Sequence, residues 1–166
     1  NAGANVGAVV TPLLVPFLVV TVGWRMAFVV TGAVLIATSR PTRGALTFTV
    51  FACFYGAGSV LVGLVPSGAG GTTQLLHVAG ATAAIVGGNL ALLTAGAVGL
   101  PGRSTAARTL GYALGALGLT AAAALVGSGL PEGACERAAI YPIIAWQVVV
   151  GVGLLLSRDP ADGRRA

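Results

Sequence analysis

The stretch LLHVAGATAAIVGGNLALLTAGAVGL at residues 75–100 decides the class of this chain. It contains no Asp, Glu, Lys or Arg, and it exceeds the roughly 20 apolar residues that a helix needs to cross a bilayer. Similar apolar runs occur at residues 4–22, 26–38, 45–65, 110–130 and 138–156, and the run at 26–38 is short for a crossing. The pattern predicts an all-α, polytopic membrane bundle of about six transmembrane segments.

The composition also indicates a membrane protein. Hydrophobic residues make up 56% of the chain and charged residues 8%, whereas about a quarter of the residues in a soluble domain are charged. All nine basic residues are Arg, and they stand at the ends of apolar runs instead of forming a basic face with aromatic residues. We therefore expect membrane lipids as partners and no nucleic acid. The lack of Lys beside abundant Ala, Gly and Val suggests a bacterial source.

The placement of the arginines predicts how the bundle is oriented. Two connections and the C-terminal tail carry most of them, namely Arg40, Arg43, Arg103, Arg108, Arg158, Arg164 and Arg165. Since short cytoplasmic loops are rich in Arg and Lys, these segments are expected in the cytoplasm. On the outer side fall Arg25, which is the exception, and Arg137, which is offset by Glu132 and Glu136. The prediction is a multi-pass protein of the inner (plasma) membrane with a cytoplasmic C-terminus, which requires the run at 26–38 to cross.

No catalytic constellation is recognisable in the sequence. His77 is the only histidine, whereas a catalytic zinc site needs three protein ligands. The serines have no base in a matching pattern, and the glycine-rich stretch at 68–71 lacks the Lys-Ser/Thr end of a phosphate-binding loop. Cys53 and Cys135 fall at different expected depths, which disfavours a disulfide. We predict no enzymatic activity, no cofactor and no metal site.

Four polar side chains are expected together at the outer membrane surface. His77 lies near the start of one apolar run, and Glu136, Arg137 and Tyr141 lie around the start of the last run. We hypothesise that they bind a lipid head group or a small anion, with Arg137 as the bidentate donor. The simpler alternative is structural: Glu136 and Arg137 cap a helix, Tyr141 anchors it at the interface, and His77 is a polar residue at a helix end.

Three polar side chains fall inside apolar runs: Asn5, Asn89 and Gln147. A polar group in hydrocarbon needs a partner, so we expect them to form hydrogen bonds between helices. Intramembrane polar groups can also line a transport pathway, which is the alternative for these residues.

Glycines recur at the spacing that lets helices approach closely. Gly3 and Gly7 are four residues apart, and so are Gly111 and Gly115, with Gly118 extending the second ridge. Such ridges pack helices within a membrane bundle, and this is the role we expect. A homo-oligomer contact or a lipid groove is the alternative.

The N-terminal stretch NAGANVGAVVTPLLVPFLVVTVGWRMAFVVTGAV carries one family resemblance. Its matching elements are Asn1-x-Gly3, the Gly7 and Pro12 pair, and Gly23-Trp24-Arg25-x-x-Phe28. Residues 1–36 resemble the fifth and sixth helices of anion:cation symporters of the hexuronate type, in the major facilitator superfamily. The resemblance implies alternating access with binding at the membrane midplane, and a small organic anion as substrate.

A second resemblance covers residues 45–156. Its matching elements are Gly63-x-x-Pro66, His77-x-x-Gly80-Ala81, Gly88-Asn89, and Glu136-Arg137-x-x-x-Tyr141-Pro142-x-x-x-Trp146. Together they resemble an uncharacterised multi-pass membrane family, domain of unknown function 998. This resemblance implies an architecture and no activity.

These observations divide the chain into a transporter-like partial hairpin at 1–38, a cytoplasmic link at 39–44, a four-helix membrane domain at 45–157 and a polar tail at 158–166. We expect a multi-pass membrane protein of unknown activity. Two alternatives stay open: a fragment of a sugar-acid transporter, and a membrane protein that binds lipid or a partner without turnover. The switch in resemblance between residues 36 and 45 fits either a natural fusion or a chimeric gene.

Overall fold

The computed structural model describes residues 21, 23, 46–68, 70–99, 104–127 and 129–156. Four helices form within these ranges: α1 at Leu46–Leu64, α2 at Gly71–Val98, α3 at Thr105–Gly127 and α4 at Glu132–Leu156. The described residues contain no β-strand. The expected all-α class is therefore confirmed.

Three of these helices, α1, α2 and α3, are long and apolar enough to cross a membrane. They correspond to the apolar runs at 45–65, 75–100 and 110–130. Apart from Thr21 and Gly23, the runs at 4–22 and 26–38 lie outside the described residues, as do the link at 39–44 and the tail at 158–166. The count of six segments stays a prediction.

Many large apolar side chains lie on the outside of the described helices. Leu75, Leu117 and Val126 are 71%, 57% and 90% exposed, whereas every buried residue of α1 is Ala, Gly or Ser. In a soluble protein such side chains are usually buried, because their transfer from water stabilises the fold. The exposed apolar surface agrees with helices that are long and apolar enough to cross a membrane.

Local sequence explains where the helices end. Gly99 adopts a left-handed conformation (φ 75°, ψ 41°), and its N–H donates to the carbonyl of Ala95, which ends α2. The hydroxyl of Ser104 accepts a hydrogen bond from the N–H of Ala107 at 3.2 Å and so caps α3. The carbonyl of Pro131 accepts hydrogen bonds from Ala134 and Cys135 at the start of α4. The short connections make successive helices antiparallel.

Helix α2 is the centre of the bundle, since it packs against α1, α3 and α4. Glycines set the closest approaches: the buried residues of α3 are Gly111, Gly115 and Gly118, and all three face α2. The expected packing role of this ridge is therefore observed within the chain. Helix α2 covers this ridge, the Gly3–Gly7 pair lies outside the described residues, and a homo-oligomer contact through glycine-rich faces stays a prediction.

The closest of these contacts, at Gly118, predicts how the addition of one methyl group would change the stability of the bundle. A Cβ at Gly118 would overlap the side-chain amide of Asn89, so Gly118→Ala forces α2 and α3 apart. We expect a loss of about 1–3 kcal/mol in the free energy of unfolding, measured by titrating denaturing detergent into micelles of the protein. Gly127→Ala, on the same helix with open space around the new methyl group, is the control and should not destabilise. Equal effects of the two substitutions would contradict this account.

Candidate functional site: a groove between three helices

A cavity of about 130 Å³ lies between α1, α2 and α4. We call it the groove. Its lining combines apolar walls with a few polar side chains, and consists of Tyr55, Ser59, Val62, His77, Ala81, Ala84, Ile85, Glu136, Ile140 and Ile143.

The groove exists because α1 and α4 both pack on α2 while their own backbones stay apart. The two helices meet through long side chains instead: the rings of Phe48 and Trp146 lie with their centroids 6.2 Å apart. On α2 the floor of the groove is made of small residues, Ala81 and Ala84. The space between the three helices is thus left open.

One end of the groove is closed where Tyr55 and Ile143 meet over Gly88. A Cβ at Gly88 would lie 3.0 Å from the Tyr55 ring and would overlap the end of the Ile143 side chain. The absence of a side chain at Gly88 therefore allows α1 and α4 to converge at this level. We call this the deep end of the groove.

His77 and Glu136 mark the other end, which we call the mouth. His77 Nδ1 lies 2.8 Å from the carbonyl oxygen of Val65, in the bend after α1. Because a carbonyl oxygen can only accept a hydrogen bond, Nδ1 carries the proton, and Nε2 is the nitrogen that a ligand can meet. The carbonyl of Val65 has no hydrogen-bond partner within α1, so the bond from His77 caps the C-terminal end of this helix.

The polar groups at the deep end are bound to one another. Ser59 is 2% exposed, and its hydroxyl donates to the carbonyl of Tyr55 at 2.8 Å. The hydrogen bond between helices that we expected for Gln147 stays a prediction.

The structure brings two of the four expected site residues together. His77 and Glu136 line the same groove, whereas Arg137 and Tyr141 do not, although Glu136 is an exposed residue like these two. The Arg137 guanidinium lies beside Gly133, one turn earlier on its own helix. An arrangement with Arg137 as the anion donor inside this groove is therefore not seen.

Sequence reasoning did not identify Tyr55 and Ser59 as site residues. Their signal is the spacing of four residues, which places two hydroxyl groups on one face of an otherwise apolar helix. The sequence alone does not say which neighbouring helix that face meets.

Asn89 ties α2 to α4 below the groove. The side chain is fully buried, and its Nδ2 donates to the carbonyls of Ile85 at 2.8 Å and Ala139 at 2.9 Å. Pro142 has no N–H for the carbonyl of Ala138, which loosens α4 at this turn. Asn89 donates to the adjacent carbonyl, so the amide reinforces α4 where the proline weakens it. Asn5, the other expected asparagine, lies outside the described residues.

The described residues contain no group of three His, Cys, Asp or Glu side chains that could hold a metal ion. Cys53 is half-buried and Cys135 is buried, and both are free thiols. The polar chemistry of the described part of the chain is therefore that of hydrogen bonding and charge, concentrated at the mouth of the groove.

Comparisons of the chain with models of known protein families, with curated proteins and with solved structures found no match. The two family resemblances therefore stay predictions, and the geometry of the groove is the basis for the function.

The link between Asn89 and the proline turn can be measured by a double-mutant cycle. Asn89→Ala removes the hydrogen bond to Ala139 and is expected to lower the free energy of unfolding by about 0.6–2 kcal/mol. In a Pro142→Ala background the backbone of α4 regains its own bonds, so the cost of Asn89→Ala should shrink by about 0.5 kcal/mol or more.

Thr94→Ala is the control for this cycle. The Thr94 hydroxyl donates only to carbonyls of its own helix, at 3.0 and 2.9 Å, so its removal should cost less and should not depend on Pro142. If Asn89→Ala costs the same with and without the proline, the two residues are not coupled.

Proposed function

We propose that this chain is a multi-pass membrane protein that binds a small amphipathic ligand in the groove, without chemical turnover. The observation that carries the proposal is the lining itself. Three helices supply mostly apolar walls, with His77 and Glu136 at one end and the hydroxyl-bearing residues Tyr55 and Ser59 toward the other. Ligand pockets in proteins are typically apolar, with few polar groups that fix the orientation of the ligand.

The size of the groove limits what it can hold. Its volume of about 130 Å³ is similar to the engineered cavity of about 150 Å³ that binds benzene. From His77 to Ile85 the lining follows α2 for roughly 12 Å, at about 1.5 Å per residue. The dimensions favour a narrow apolar body, such as a short alkyl chain or one ring.

The predicted orientation of the chain determines which side of the membrane the mouth of the groove faces. With six segments in the inner membrane and the C-terminus in the cytoplasm, the connections after α1 and α3 lie outside. His77 and Glu136 lie near these connections, so the mouth faces the outer leaflet. The opposite end carries Arg108, whose Nε donates to the carbonyl of Gly96 at 3.2 Å, and a basic residue on the cytoplasmic side fits the positive-inside rule.

Transport of a sugar acid is the competing function, and it rests on the resemblance of residues 1–36. The described helices supply a carboxylate, Glu136, and no Arg or Lys side chain to the lining of the groove. A carboxylate in the lining repels an acidic substrate. This charge favours the binding proposal over acid transport through the groove.

A bulky side chain that fills the groove should weaken the binding of a ligand there. We expect Ala81→Phe to reduce photolabelling of Ile140 and Ile143 by a diazirine-bearing octanol about tenfold, the change that a loss of about 1.4 kcal/mol in binding produces. Labelling would be mapped by mass spectrometry on the full chain in phosphatidylcholine nanodiscs. Label on the lipid-facing Leu117 should not change and provides the internal reference.

Thr82→Phe is the matched control, because Thr82 is exposed beside Ala81 and does not line the groove. It should leave labelling of Ile140 and Ile143 unchanged. Label spread equally over the groove and Leu117 in the unsubstituted protein would show that the groove holds no ligand.

The orientation can be tested with single cysteines in a background of Cys53→Ala and Cys135→Ala. Ser67 and Ser104 are exposed at opposite ends of α2. A membrane-impermeant maleimide should label Ser67→Cys in intact cells and Ser104→Cys only after permeabilisation. The reverse pattern would place the mouth of the groove in the cytoplasm.

A further inference from the structure

We infer that the ligand of the groove carries an ammonium head group, which Glu136 and His77 hold at the mouth while its apolar body fills the space between α1, α2 and α4. This inference rests on the proposed function and names the chemical class of the ligand. It departs from the anion that the sequence led us to expect.

The charge at the mouth is the first observation. Glu136 lines the groove, and a carboxylate offers only hydrogen-bond acceptors. The neighbouring cation, Arg137, is turned toward Gly133 and does not enter the lining. The described lining therefore presents negative charge to a ligand, which attracts a cation.

The tautomer of His77 is the second observation. Nδ1 carries the proton that is donated to the carbonyl of Val65, so in the neutral form of the ring Nε2 is the acceptor. Two acceptors thus border the mouth, one of them charged. A primary ammonium group has three N–H donors and can bind both, whereas a carboxylate or a phosphate has no donor for either.

The deep end explains why the head group stays at the mouth. Ser59 is 2% exposed there, and its hydroxyl already donates to the Tyr55 carbonyl. A second polar group there would have to break this bond or remain without a partner in a buried place. The deep end therefore takes the apolar part of the ligand.

Three photoreactive octyl probes that differ only in the head group test this inference: an ammonium, a hydroxyl and a carboxylate. In phosphatidylcholine nanodiscs the ammonium probe should half-saturate the labelling of Ile140 and Ile143 at a concentration about tenfold below the hydroxyl probe, as a charge-assisted hydrogen bond implies. The carboxylate probe should bind more weakly than either.

Glu136→Gln should raise the half-saturating concentration of the ammonium probe about tenfold and leave that of the hydroxyl probe unchanged. The hydroxyl probe thus reports that the variant is folded and that its groove is open. Glu132→Gln is the matched control, since Glu132 is an exposed carboxylate on the same helix and does not line the groove. It should change neither probe.

The source of the amine is identified by competition against the ammonium probe. Protection of the groove by free octylammonium alone identifies a soluble amine, and protection by phosphatidylethanolamine in the nanodisc identifies a lipid head group. Either result supports recognition of an amine, and protection by neither overturns it.

Failure of the head-group inference differs from failure of the proposed function. If the three probes bind equally, Glu136→Gln has no effect and Ala81→Phe still blocks labelling, the ammonium assignment is wrong and the groove remains a binding site. If Ala81→Phe changes no probe, both proposals are overturned.

Discussion

Close contact between backbones is the constraint on which the rest of this structure depends. Lipid tails are as apolar as leucine, so there is no hydrophobic driving force to bring the helices together within the bilayer. The described helices associate instead where a side chain is missing: α3 buries only Gly111, Gly115 and Gly118, and all three lie against α2. Dispersion contacts and the hydrogen bond from Asn89 to Ala139 then act at short range.

Helix α2 can pack against three other helices because several of its buried residues are glycines. Its buried residues include Gly80, Gly87, Gly88 and Gly96, which lie on different sides of the helix and meet different neighbours. One helix can therefore accept three partners. Of its large side chains, Ile85 and Leu92 are buried as well, whereas Leu75, Leu76 and Val98 are exposed.

Apolar length predicted the positions of the described helices well, because the hydrocarbon thickness fixes how many apolar residues a crossing needs. It predicted their ends less well. Helix α4 begins at Glu132, six residues before the expected run, because its first turns carry the charged residues Glu136 and Arg137, which a search for apolar runs excludes. Helix α3 likewise begins after the Ser104 cap and includes Arg108. An apolar run measures the part of a helix in lipid, not the whole helix.

The site was predictable only in part, and the limit is geometric. The order of the helices places His77 and Glu136 at the same end of the bundle, and the structure finds both at one mouth. The direction of Arg137 depends on how α4 is rotated about its axis, which no residue spacing within α4 reveals. Tyr55 and Ser59 were not identified because their role depends on the gap between α1 and α4, a property of three helices together.

The same small residues that hold the bundle together also create the groove. The small side chains of Ala81 and Ala84 leave space in the groove. The absence of a side chain at Gly88 allows Tyr55 and Ile143 to converge and close its deep end. Larger residues at these positions would fill the space or push α1 and α4 off α2. The small residues on this face of α2 therefore serve helix packing and at the same time leave the cavity between the three helices. At the mouth the lining changes character, because the first turns of α4 carry charged side chains such as Glu136.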